Sequence, residues 1–148
     1  MSRSQWKARG NMQTYTTKDM MDVSGIKQQQ MHRMVDGGCL TPSIRKATGS
    51  GDRNIWSYWD LVRGCIVAKL HILPHEFLVR LMEKLTDSVL CQGRDGGVAV
   101  VLPEFEFSVG SRLRVVPEPK LQGVFPDDDM QILISINAID RRVTERLG

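Results

Sequence analysis

Apolar residues recur at two different periods along this chain, and the change between them sets the expected architecture. Met20 and Val23 lie one helical turn apart, and Ile26, Met31 and Met34 can line one side of a second helix, with Gly25 between the two runs. A glycine at that point permits the positive backbone angle of a tight inter-helix turn, so Thr17 to Val23 and Lys27 to Asp36 read as a helix-turn-helix. Thr16 or Thr17 supplies an N-cap, and Asp19 suits the positive field of the first turn. Gly37 and Gly38 stop the second helix, and Pro42 keeps its neighbour extended. From Ser43 to Ser57, basic residues flank a Gly49-Ser-Gly-Asp52 tip, which predicts a β-hairpin wing with Ile44 and Trp56 anchoring its base.

The helical period resumes over Tyr58 to Ile72, capped by Ser57 or Asp60 and ended by Pro74. A further amphipathic helix is expected from His75 to Leu90, with Phe77, Leu78, Leu81, Leu85 and Val89 on one side. After Gln92 the pattern changes. Val98 to Leu102, Phe105 to Val109, Arg112 to Val116 and Gln131 to Ser135 are β-branched or aromatic runs punctuated by glycine and proline, and Asn137 is placed to cap a last helix carrying Ile139, Val143 and Leu147. The expected fold class is therefore α+β: a winged helix-turn-helix, a connecting or dimerisation helix, and a small antiparallel β-rich C-terminal region. The expected divisions are a flexible basic arm over 1–14, the winged domain over 15–73, the connecting helix over 74–91 and the β-rich domain with its final helix over 92–148.

The 148 residues are enough for a genuine core, and 41% hydrophobic with 25% charged residues is a globular composition. No apolar run approaches the roughly 18 residues that cross a bilayer, and the N-terminus has no apolar secretion-signal core, so the expected location is cytoplasmic, with no membrane partner, and nucleoid-associated if the chain binds DNA. Cys39, Cys65 and Cys91 are odd in number and lack a C-x-x-C pair, which favours buried thiols over a disulfide framework or a zinc knuckle. The net charge of +3 is mild, but residues 1–62 hold nine Lys or Arg against five Asp, whereas the remainder holds eleven basic and twelve acidic residues. Excess positive charge thus falls on the half with the helix-turn-helix pattern, where a phosphate footprint needs it.

Enzymatic chemistry has no positive signal. His71 and His75 have a helical metal-ligand spacing, yet Pro74 lies between them and no third ligand is near in sequence. Asp127 to Asp129 lacks the pattern of a calcium loop, and Glu104 with Glu106 reads as a surface carboxylate pair. No nucleophile–base set, phosphate-cradling loop or dinucleotide fingerprint appears, so no catalytic residue, cofactor or metal is expected.

Tyr15 to Leu70 resembles the winged helix-turn-helix domain of the mercury-resistance-regulator (MerR) family. The resemblance is carried by Tyr15-Thr-Thr-Lys-Asp19 at the first helix, Ser24-Gly-Ile26 at the turn, Gly38-Cys-Leu-Thr-Pro42 after the second helix, and Arg53-Asn-Ile-Trp-Ser-Tyr-Trp-Asp-Leu61 before the third. It implies a homodimeric, sequence-specific transcription regulator that sets one helix of each subunit into the major groove of double-stranded DNA. On this chain the implied DNA-facing residues are Thr17 and Lys18 at the first helix, Lys27, Gln28, Gln29, His32 and Arg33 on the recognition helix, and Arg45, Lys46 and Arg53 on the wing. The C-terminal region, outside the resemblance, is expected to mate subunits, sense a small effector or dock a protein. Two other readings fit the same pattern: an architectural, partition or excisionase-like factor of a mobile element, and a protein-interaction adaptor whose winged domain does not bind DNA.

Overall fold

A computed structural model describes residues 13–49, 51–94, 97–102, 112–117 and 132–148. Six helices carry it: α1 (Thr17–Ser24), α2 (Gln28–Asp36), α3 (Tyr58–Leu70), α4 (His75–Lys84), α5 (Asp87–Arg94) and α6 (Ile136–Leu147). Three short strands, β1 (Gly97–Leu102), β2 (Arg112–Pro117) and β3 (Ile132–Ser135), form an antiparallel ladder in the order β2-β1-β3, with Ala99 opposite both Val115 and Ile134.

The expected α+β class with a β-rich C-terminal region is corrected by this architecture, because the described residues are mostly helical. Two features of the helical part also differ from expectation. The last helix forms, but its buried Ile136 and Val143 pack α6 back onto α1 and α3, in one hydrophobic cluster with Met20, Val23, Leu61 and Ile66. The last helix is therefore part of the same core as the helix-turn-helix. In addition, the single helix expected over His75 to Leu90 is two helices: Leu85 leaves helical geometry at φ −84 and ψ 66, and the Thr86 hydroxyl accepts from Val89 N at 3.3 Å to start α5. Leu85 is fully buried and its carbonyl accepts from Arg63 Nε at 2.7 Å, so the break is held by packing and by a cation. The expected strand at Phe105 to Val109, the loop at Pro126 to Asp129, Glu104, Glu106 and the arm before Gln13 lie outside the described residues.

Local chemistry explains most helix starts. Thr16 and Ser57 each form a capping box, with Asp19 and Asp60 as the acidic members, which satisfies amides of α1 and α3 that have no intrahelical partner. Gly25 ends α1 at φ 79 and donates to Met21 O, the left-handed step anticipated from the sequence. The start of α6 differs from expectation: Ser135 holds the N-cap position without a side-chain bond, and Asn137 lies within the first turn. α3 is surrounded rather than amphipathic, burying Leu61, Val62, Gly64, Cys65, Ile66 and Val67 against its neighbours. Each fully buried aliphatic or aromatic side chain contributes about 1.5–3 kcal/mol, so Trp56, Leu61, Ile66 and Phe77 dominate the core. Gly93 allows α5 to approach α6 closely, since a Cβ there would stand 2.8 Å from Ile136 Cβ.

Two polar clusters tie these helices together. Asp60, 2% exposed, accepts from Ser57 N at 2.9 Å, Ser43 N at 2.9 Å and Ser43 Oγ at 2.7 Å, while Arg63 Nη1 lies 3.0 Å from its other oxygen. Arg63 also pairs with Asp87, so one network joins the base of the wing, α3 and the α4–α5 joint. On the opposite side Tyr58 donates to the Asp140 carboxylate, and Arg94 Nε lies 3.1 Å from the second oxygen of that group. Burial, then the bond to Asp140, raises the Tyr58 hydroxyl well above its usual range and keeps it a neutral donor.

Candidate nucleic-acid interface

The second helix of the pair sorts its residues cleanly. Met31 and Met34 are buried, whereas Gln28, Gln29, His32 and Arg33 are exposed together on the other side, next to exposed Lys27. That spacing of one and four residues makes a continuous outward face rather than scattered polar positions. Lys27 occupies the N-cap of α2 without a side-chain bond, unlike Thr16 and Ser57. The positive end of the α2 dipole accordingly coincides with Lys27.

At the first helix the two expected residues part company. Lys18 is exposed, but the half-buried Thr17 hydroxyl accepts from Trp56 Nε1 at 3.0 Å and so braces the base of the wing. Trp56 is fully buried and exchanges two backbone bonds of 2.9 Å with Tyr15, which fixes the returning limb of the wing beside the start of α1. Ile44, by contrast, is 50% exposed, so it does not anchor that base as the sequence pattern suggested. Asp60 does so instead, through its bonds to both the amide and the hydroxyl of Ser43.

Further out, Arg45 and Ile55 exchange backbone bonds of 3.1 and 2.8 Å, and the tip is organised by Asp52. Its carboxylate accepts from Thr48 N at 3.0 Å, Thr48 Oγ1 at 3.1 Å and Arg53 N at 2.9 Å, and it pairs with Arg45 at 2.9 Å. The backbone bonds from Thr48 and Arg53 hold this acid below its ordinary range, with Arg45 adding to the effect. Arg45 is therefore engaged within the wing, and exposed Lys46 and Arg53 are its outward cations. Because the folded value is depressed, the tip order is complete above the free carboxylate pKa of about 3.9 and is lost as pH falls through the lower folded value. The Thr48 and Arg53 amide resonances should then shift together only on acidification below about pH 4, and a common shift between pH 5 and 8 would contradict this assignment.

A cleft of about 460 Å³ opens between α2 and the α3–α4 turn, lined by Lys27, Gln29, Arg33, Cys39, His71 and His75 among others. His75 Nε2 donates to Gly37 O at 2.8 Å, which leaves Nδ1, 3.3 Å from Cys39 Sγ, as the acceptor for the thiol. His71 turns to Ala68 O at 2.9 Å instead. The two histidines thus serve separate backbone carbonyls, and among the described residues no group of three metal-ligating side chains converges. Cys39 and Cys65 are buried, which pushes both thiols up, while Cys91 is only half-buried.

The sequence pattern does not single out Lys69, Arg142 and Arg146. All three are exposed: Arg146 donates to Val23 O at the C-terminal end of α1, and Lys69 and Arg142 lie near enough to act on the Cys65 thiol, which is directed to that same carbonyl. The signal was weak, since α6 is separated from α1 by more than a hundred residues of chain. No family model matches this chain, and no curated protein matches it in sequence. No helix among the described residues is long and apolar enough to cross a membrane.

Proposed function

We propose that this chain is a sequence-specific, double-stranded-DNA-binding transcription regulator of the winged helix-turn-helix kind, similar to the MerR family and acting as a homodimer. The observation that carries the reading is the division of α2: Gln28, Gln29, His32 and Arg33 outward, Met31 and Met34 inward, behind a turn made by a positive-φ glycine. Glutamine can engage adenine bidentately, and lysine or arginine meets guanine or phosphate, so this face has the donors and acceptors that base edges require. Lys46 and Arg53 add backbone-directed charge on the wing. A two-fold pair of such domains would read half-sites about one helical turn, roughly 34 Å, apart.

The test uses duplexes selected from a random pool, compared with a scrambled duplex. Gln28→Ala with Gln29→Ala is expected to reduce discrimination between the two by about 10- to 100-fold, with little change on the scrambled duplex. Lys46→Ala with Arg53→Ala should weaken both duplexes and reduce the slope of log affinity against log salt by about 2. Equal affinity of the wild type and both variants for every duplex would refute the reading.

A further inference from the structure

Around the C-terminal end of α1, cations converge from two elements distant in sequence. Arg146 of α6 donates to Val23 O, and Cys65 of α3 directs its thiol to the same carbonyl, so α3 and α6 meet at this point. Lys69 stands one helical turn beyond Cys65, and Arg142 one turn before Arg146, so both lie on the faces of α3 and α6 that carry these two contacts. Arg146, Arg142 and Lys69 all oppose the burial-driven rise of the Cys65 thiol, as expected of charges gathered around it. The neighbouring carboxylates, Asp22 on α1 and Glu145 on α6, are exposed, and among the described residues neither forms an ion pair with Lys69 or Arg142.

Part of this cluster is structural. α1 has no basic residue in its last turn, so the Arg146 bond supplies the positive charge that the negative helix end favours. One cation fulfils that role, and Lys69 and Arg142 remain exposed beside it. Their position is informative, because the turn that follows Val23 leads within four residues to Lys27 and the start of α2. His71, two residues past Lys69, lines the same cleft as Lys27, so the end of α3 also borders the recognition helix.

We propose that Lys69 and Arg142, on the two helices that meet where Arg146 caps α1, form a second phosphate-binding surface that holds the backbone of a DNA duplex beside the helix-turn-helix turn. This rests on the DNA-binding reading and extends it to a helix that lies outside the family resemblance. Lysine and arginine with no amide side chain between them meet phosphate rather than base edges, so the pair contributes affinity and salt dependence rather than base preference.

The experiment measures the full chain and Lys69→Ala/Arg142→Ala against a selected and a scrambled duplex across a salt series, with unchanged circular dichroism and thermal midpoint confirming the fold. The expected result is a salt slope reduced by about 2, both duplexes weakened in parallel, and an unaltered preference between them. A wild-type slope in the variant would overturn the inference while leaving the DNA-binding reading intact. Lost preference with an unchanged slope would assign the pair to base contact and would overturn it too. Failure of the wild type to bind any duplex would remove both.

Discussion

Asp60→Ala is expected to lower folding stability by about 3–5 kcal/mol, the usual cost of removing one member of a buried, hydrogen-bonded ion pair. The substitution removes the buried partner of Arg63, whose side chain is only 14% exposed and which keeps only Leu85 O and the exposed Asp87, and it leaves the Ser43 and Ser57 amides without their shared acceptor. For a chain of this size that loss corresponds to a fall in thermal midpoint on the order of 10 °C. Asp60→Asn keeps one acceptor oxygen but not the charge, so it should fall between alanine and the wild type. The effect reaches the proposed interface, because Asp60 holds the Ser43 end of the wing against the start of α3. Thermal and denaturant unfolding check this, and a loss below about 1 kcal/mol for the alanine variant would show that the network contributes little.

The second large effect is expected at Asp140, which ties the C-terminal helix to the winged domain. Asp140→Ala removes the carboxylate shared by Tyr58 and Arg94, with the arginine side chain 20% exposed, and should cost a similar amount, about 3–5 kcal/mol. Tyr58→Phe deletes only the hydroxyl and should cost about 1.5–3 kcal/mol, the range for a hydrogen bond to a charged group. Hydrogen exchange separates this variant from Asp60→Ala. Loosening should begin in α6 and at the end of α1 rather than in the wing, because α6 packs on α1 and α3. Equal deprotection of all helices would indicate that α6 has no local role.

What the sequence revealed followed how local each determinant was. The glycine turn and the Met20, Val23, Met31 and Met34 pattern depend on residues within a turn or two of one another and were legible, as were the two caps to within a choice of Thr16 or Thr17 and of Ser57 or Asp60. Ile44 misled because an apolar residue beside a turn resembles an anchor, whereas the hydrogen-bonding capacity of Asp60, seventeen positions past Ser43, fixes the wing base. The break at Leu85 was hidden by a continuous apolar stripe, although Thr86 and Asp87 carried an N-cap signal inside it. The last helix was legible from its own period, but not its cap at Ser135 rather than Asn137, nor its burial of Ile136 against α1 and α3, which depends on residues distant in sequence. Thr17 was legible as a first-turn residue but not as the acceptor for Trp56, a partner thirty-nine positions away. The cationic cluster at the end of α1 joins α1, α3 and α6, and only packing could bring it together.

The proposed function requires the polar side of α2 to enter a groove of duplex DNA. Backbone amide resonances of the full chain, followed while a selected duplex is titrated in, test it most directly. The largest shifts are expected on Lys27 to Arg33, with smaller ones at Lys46 and Arg53. Saturable binding that leaves the α2 resonances unmoved, or no binding at all, would contradict it.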